Sequence, residues 1–231
     1  SYEAAWVCGI QPQGKSFRYL ELVFEWYSAL RPRGLDVDIV SPDADLSGYA
    51  MVCAPTLPIL PEGCVARLAA LDCPVLIGPR TGSKTPNFAI PDDLAPGDLK
   101  ELIPLSVTRV ESLRDGIGEQ GNGWSIARWR EDVATTLDAE FATRESDVVY
   151  RHGSVRYVAA WPDRAVLDRV IERMADEADV RLMKLPEGLR LRRTASHILA
   201  FNYSNQPVNT DGIGHGAPVI GTTILPPAGV A

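Results

Sequence analysis

The chain has 231 residues, with 30 acidic against 23 basic side chains, a formal charge of −7 and a pI near 5.0. Apolar residues at 45% and charged residues at 23% exclude a disordered chain, and a folded monomer of this size hides roughly 70% of its extended-chain surface. The acidic balance argues against a nucleic-acid partner, because phosphate binding needs clustered Lys and Arg. No apolar run approaches the roughly 18 residues of a membrane span, and no charged-then-apolar leader opens the chain. It opens instead on Ser1-Tyr2-Glu3 without a Met, which reads as a piece of something longer. The four cysteines, Cys8, Cys53, Cys64 and Cys73, form no CxxC pair and read as small core hydrophobes in a cytoplasmic protein.

In chain order, the continuous apolar run Ala4–Ile10 reads as a strand covered on both faces. Phe17, Leu20, Phe24 and Tyr27 then recur at helical spacing and, with Leu30, mark one helix face, with Ser16 as its N-cap and Gly34 as its stop. Strands are expected at 35–40, 49–54 and 75–78, with a short helix over Val65, Leu68, Ala69 and Leu71. That alternation predicts βαβ units and a largely parallel sheet.

Residues 79–103 are rich in Pro and Gly and read as loop, with a short helical stretch at 99–103. The pattern from 107 to 160 turns strand-like, and His152-Gly153-Ser154 reads as a hairpin turn. Leu167, Val170, Ile171, Met174 and Ala175 mark an amphipathic helix capped by Asp163. After Pro186-Glu187-Gly188 the chain is strand and turn: 189–192, 198–201 and 219–225. A boundary near 184–188 leaves a tail too short for an independent core, so it is expected to lean on something else.

Three constellations offer chemistry. Gly9-Ile10-Gln11-Pro12-Gln13-Gly14-Lys15-Ser16 fits the phosphate-cradling pattern G-x-x-x-x-G-K-[ST], between an expected strand and an expected helix. Nucleotide chemistry also needs an Asp at the end of another buried strand, and none stands there; Asp43 and Asp163 are displaced. Cys53, at a strand end, is a candidate nucleophile, but Ala54-Pro55-Thr56-Leu57-Pro58 cannot form the tight turn into a helix that activates a thiolate. Asp43 with Asp45, and Glu101 with Glu111, are candidate carboxylate pairs that read more simply as solvated surface. His152, His197 and His215 lack metal-ligand spacing. Trp124 and Trp129 either pack or contact a sugar or a partner subunit.

Taken together, 19–30 running into 34–40, Ala44-Asp45-Leu46-Ser47-Gly48-Tyr49, Gly78-Pro79-Arg80-Thr81-Gly82-Ser83-Lys84, 201–208 and 225–230 resemble the region after the barrel in glycoside hydrolase family 42 β-galactosidases. The resemblance implies a flavodoxin-like (class I glutamine amidotransferase-like) doubly wound sheet over 1–185 that builds a homotrimer. A small all-β C-terminal domain over 186–231 follows it. It also implies that the two catalytic glutamates lie on an N-terminal β/α barrel, so that galactoside is met only through that barrel. No Asn precedes a Glu in this sequence, and the amidotransferase cysteine has no counterpart in Gly78-Pro79-Arg80-Thr81. No catalytic, cofactor-binding or metal-binding residue is therefore assigned here. Nucleotide binding through Gly9 to Ser16 stands as the alternative.

Overall fold

The computed structural model describes residues 1–213 and 219–230. It divides into two compact units: Ser1–Trp26 with Val40–Val180, and Tyr27–Ile39 with the residues from Arg181 onward. The first dividing point falls between Trp26 and Tyr27.

The first unit begins not with the expected strand but with helix α1 (Tyr2–Ile10), N-capped by Ser1, whose side chain accepts from the Ala4 amide. A short apolar run does not by itself distinguish a strand from a helix. Here the local cap decides, and Ala4, Val7 and Cys8 go inward at helical spacing. Helix α2 (Tyr19–Leu30) is present, but its buried face is not the expected one. Leu22, Trp26 and Ala29 point inward, whereas Leu20 and Phe24 are 74% and 66% exposed. The helix is apolar on both sides, so spacing alone could not choose between them. Ser16 does not cap it; its hydroxyl donates to Asp115 instead.

A five-stranded sheet runs in the order β1 (Val52–Ala54), β2 (Val75–Ile77), β8 (Val155–Val158), β7 (Asp147–His152), β6 (Ala139–Ala142). Only β1, β2 and β8 are mutually parallel, with Cys53 opposite Leu76 and Leu76 opposite Arg156. The β7–β8 and β6–β7 pairs are antiparallel, which corrects the largely parallel expectation. The physical reason is connection length: β8 follows β7 through the tight turn at Gly153 (φ 58°), and so short a turn can only reverse the chain.

A second, antiparallel sheet has β3 (Leu105–Ser112), β5 (Ser125–Thr135) and β4 (Gly118–Gln120) in that order, with β9 (Ala160–Pro162) also paired to β5. Between the strands lie α3 (Cys64–Ala69), a 3₁₀ turn at Gly97–Glu101 and α4 (Arg164–Glu177). The expected Asp163 cap of α4 is present, its carboxylate accepting from the Val166 amide at 3.0 Å. Val75, Ile77, Leu99, Ile103, Leu105 and Tyr157 form the centre of one core cluster. Each large aliphatic side chain there contributes roughly 1.5–3 kcal/mol by leaving water.

Arg156 is buried in this unit without a trace of exposure, yet it is charged. Its guanidinium donates to both oxygens of Glu140 (2.7 and 3.3 Å) and both of Glu177 (2.8 and 2.5 Å), joining β8 to β6 and α4. Hydrogen bonding from Arg156 holds the Glu177 carboxyl below its ordinary range. At Glu140, burial pushes upward, but the bonds from Arg156 and Arg173 outweigh it and the net direction is down.

The second unit holds the hairpin β10 (Leu189–Arg193) with β11 (Ile198–Asn202), and the short pair β12 (Val208–Asn209) with β13 (Ile224–Leu225). The strand expected at 219–225 shrinks to Ile224–Leu225. Leu185, Leu189, Leu191, Ala200, Val208 and Leu225 form its core. As expected, the tail leans on another segment, and that segment is 27–39: Met183 and Leu185 amides donate to the Arg33 and Pro32 carbonyls. Residues 35–40, expected as a strand, join no ladder among the described residues. Asp36 and Asp38 instead accept from Arg193 and Arg192. Alternation selects a face, but a strand exists only where a neighbour completes its hydrogen bonds. Gly34 ends the preceding 3₁₀ turn at φ 72°, in the stopping role expected of it.

Asn202 is the polar centre of this unit. Its Nδ2 reaches the carbonyls of Gln206, Leu225 and Pro226, and its Oδ1 accepts from the Ser204 amide and hydroxyl.

Two outcomes are expected. Replacing Arg156 by Met removes its charge-assisted bonds to Glu140 and Glu177, which keep only the half-exposed Arg173 and Arg151, and lowers unfolding free energy by about 1.5–3 kcal/mol, measured by urea denaturation at pH 7. A carboxyl with a depressed folded pKa contributes stability above its unfolded value and loses it as pH falls through the folded value. The wild-type advantage over Arg156→Met therefore shrinks as pH drops below roughly 4.3; an advantage that stays constant into acid would contradict the assignment. Asn202→Leu strands the buried Leu225 carbonyl at about 1–3 kcal/mol and unpairs the part-buried Gln206 and Pro226 carbonyls, so amide hydrogen exchange should accelerate at β10–β13 and remain unchanged at β2 and β8.

Candidate functional site

The C-terminal ends of parallel strands are where open α/β sheets place ligand sites. At the end of β2 the chain passes through Gly78, where an added Cβ would lie 1.9 Å from the Pro55 carbonyl oxygen, so no side chain fits. The turn continues through Pro79 into Arg80, which is buried and sits at φ 63°. Thr81 closes it: its hydroxyl donates to the Gly78 carbonyl at 2.8 Å and accepts from the Leu57 amide at 3.1 Å.

Glu131, from the centre of β5, is buried behind this turn. Its Oε1 accepts from the Arg80 amide at 2.8 Å and from Trp129 Nε1 at 3.0 Å, and its Oε2 accepts from the Tyr157 hydroxyl at 2.6 Å. Burial pushes the Glu131 carboxyl upward in spite of these bonds and of the Arg80 charge. Burial, followed by the charge of Glu131, raises Tyr157 well above the ordinary phenol range. The Arg80 guanidinium lies over the rings of Phe17 and Trp129, 4.7 and 5.5 Å from their centroids. It ends on the carbonyls of Gln11 (2.8 Å) and Pro12 (3.3 Å).

This arrangement seals the strand end. The turn carries an arginine facing backward where a hydrolytic nucleophile would need to face a pocket. What Arg80 does is hold the 11–16 loop to the sheet.

That loop is the segment with the phosphate-binding pattern, and its setting differs from the one the pattern requires. Helix α1, not a strand, precedes it, and α2 starts at Tyr19, beyond Ser16. The Gln11 and Pro12 carbonyls point at Arg80, the reverse of a cradle that turns amide N–H groups toward an anion. Gly14 lies against Ser112, whose hydroxyl would be 2.2 Å from an added Cβ, and Lys15 is exposed. The nucleotide alternative therefore has no support here.

The remaining candidates also separate. Burial and then Cys73 push the Cys53 thiol up to about 12, the opposite of an activated thiolate. Asp43 faces Arg67, Asp45 accepts from the Ser47 amide and hydroxyl, and Glu111 pairs with Arg130. His152 Nδ1 lies 2.9 Å from the Leu102 carbonyl and His197 Nδ1 lies 2.7 Å from Ser196 Oγ, while His215 lies outside the described residues. Among the described residues no three metal-ligating side chains cluster. Trp124 and Trp129 are both buried, Trp124 edge-on to Phe141 and Trp129 edge-on to Phe17. Trp124 lies just before β5 and Trp129 within it, and both indoles are covered by this packing.

The Arg80–Glu131–Tyr157 cluster was not anticipated from the sequence. One signal was present: Glu131 shares a period-two register with Trp129 and Val133, which puts a carboxylate on an apolar strand face.

The fold and this sealed strand end define a mixed α/β packing unit with several sheets, accompanied by a small β unit. Residues 1–181 match the family model described as the β-galactosidase trimerisation domain, and the chain belongs to that family. It is 45% identical over 212 residues to a β-galactosidase of Thermus thermophilus, covering 90% of this chain and 33% of that protein. A β-galactosidase of Haloferax lucentense is 31% identical, with 90% and 34% covered. The crystal structure of the β-galactosidase from the psychrophilic Marinomonas ef1 superposes with a TM-score of 0.92 at 33% identity, over 99% of this chain and 36% of that one. That from Halorubrum lacusprofundi gives 0.83 at 28%, over 99% and 38%. The chain thus spans about a third of the length of the relatives it matches. No helix among the described residues is long and apolar enough to cross a membrane.

Removing the carboxylate tests the cluster. Glu131→Leu strands the Arg80 amide, the Trp129 indole and the Tyr157 hydroxyl and should cost about 3–5 kcal/mol. Glu131→Gln keeps one acceptor and should cost less. Equal losses in denaturant titrations of the two variants would contradict the geometry.

Proposed function

We propose that this chain is the non-catalytic oligomerisation segment of a β-galactosidase that hydrolyses terminal β-D-galactosides. In this reading the two catalytic glutamates lie on an N-terminal β/α barrel outside residues 1–231, and galactoside reaches the protein through that barrel. Residues 1–185 act as a flavodoxin-like trimerisation domain, and residues 186–231 as a small C-terminal β domain, within a cytoplasmic homotrimer. The parallel run β1-β2-β8 and the helices α3 and α4 support the doubly wound part of this reading.

One observation carries it: the trimerisation-domain match over residues 1–181, in a chain that spans only a third of relatives named β-galactosidases.

The reading predicts that the purified chain sediments at three times its 25.2 kDa and releases no p-nitrophenol from p-nitrophenyl β-D-galactoside. A monomer at every concentration would remove the assembly role. Turnover that copurifies with the chain would remove the non-catalytic one.

A further inference from the structure

Strand β1 has the sequence of an interior strand and the position of an edge strand. Val52, Cys53 and Ala54 are apolar on both faces, as in a parallel strand covered on either side. β2 and β8, in the same parallel run, are buried at every residue, whereas every residue of β1 is only half-buried. Successive side chains of a strand point to opposite faces, so a deficit shared by all of them lies along the edge. Among the described residues β1 pairs with β2 and with no other strand. The Val52 amide donates to the Pro74 carbonyl and the Ala54 carbonyl accepts from the Gly78 amide, so these two residues face β2. Cys53, between them, turns its N–H and C=O to the open side.

The other edges are defended. β6 carries Glu140 and register shifts, β3 carries Arg109, Glu111 and a shift, and β4 carries Glu119. Charges and bulges of this kind keep edges from pairing. β1 has neither, and it is as long as the interior β2.

We propose that the open edge of β1 accepts one further parallel strand, supplied by the polypeptide that leads into Ser1. The proposal rests on the function proposed above, in which a barrel precedes residue 1 of a chain spanning about a third of its relatives. Helix α1 fixes the occupant and its direction. Ala4 shares a core cluster with Leu57, just past the end of β1, and Arg80, just past the end of β2, holds the Gln11 and Pro12 carbonyls. α1 therefore lies at the C-terminal ends of the parallel strands. A segment that reaches Ser1 alongside β1 runs in the same direction as β1 and β2. A second copy fits less well: pairing β1 with β1 is a two-fold contact, at odds with a three-fold ring, and the remaining edges are defended. Main-chain bonds to Cys53 supply the affinity, and apolar side chains of the added strand complete the cover of β1 on both faces.

The Cys53 amide supplies the readout. Its hydrogen exchange is followed by NMR in the 231-residue chain and in the same chain extended by about ten native upstream residues, enough for one strand. Without the extension Cys53 should exchange freely, while Val52, bonded to β2, is protected. The extension should slow Cys53 by roughly a hundredfold or more. Cys53→Pro removes only the outward donor, which an edge strand tolerates, and should cancel the rise in urea midpoint that the extension brings. The Val52 amide reports whether that variant is folded. Equal Cys53 exchange with and without the extension overturns the proposal, as does a Cys53 amide already protected in the 231-residue chain. Protection that disappears on dilution overturns it too and assigns the edge to a second copy. An extended trimer with an unprotected Cys53 removes the strand and keeps the assembly role. An extended chain that protects Cys53 but never assembles keeps the strand and removes that role.

Discussion

A single buried carboxylate organises the first unit. Glu131 collects an amide from the turn after β2, an indole from its own strand and a phenol from β8, and so ties two sheets and a loop entry to one point. Leaving such a group unpaired in the interior costs more than most single apolar contacts return, which makes its three donors obligatory partners. Arg80 then extends the constraint. Its amide is committed to Glu131 and its guanidinium, lying over Phe17 and Trp129, fixes the Gln11 and Pro12 carbonyls and with them the end of α1. The strained φ of Arg80 is the local cost of directing one residue at both targets.

Arg156 plays the complementary part on the opposite side of β8. It is a buried cation with two carboxylates, one from β6 and one from α4, so the antiparallel end of the sheet and the final helix share one charge centre. Buried ion pairs of this kind contribute more to selecting one arrangement than to net stability. The Glu131 centre fills the C-terminal end of β2, while Arg156 lies near the start of β8.

Much of this was legible in the residues. The Asp163 cap, the α4 stripe from Leu167 to Ala175, the Gly153 turn and the short β1 and β2 strands all follow from patterns of a few adjacent residues. The errors share one cause. Ala4–Ile10 is a continuous apolar run from which no period can be extracted, and α2 shows its helical period but carries apolar residues on two faces, so its inward face cannot be chosen. Residues 35–40 alternate as a strand should but find no ladder, a property of neighbours and not of the segment. The phosphate-loop pattern at 9–16 matches in letters while its carbonyls face the wrong way, because peptide orientation depends on Arg80, far along the chain. Glu131 was visible as a polar residue on an apolar register, but its partners lie 51 positions before it at Arg80 and 26 after it at Tyr157.

The sequence by itself determined composition class, the absence of any long apolar span, most local elements and, through motifs spread over nearly the whole chain, the family. These are properties of short windows or of motif order, and short windows carry their own caps, turns and periods. Tertiary structure alone decided which face of each two-sided helix is covered, which strands run antiparallel, and where the buried charges find partners. Each of those outcomes depends on contacts between residues distant in the chain, whose energies exist only once the chain has closed on itself.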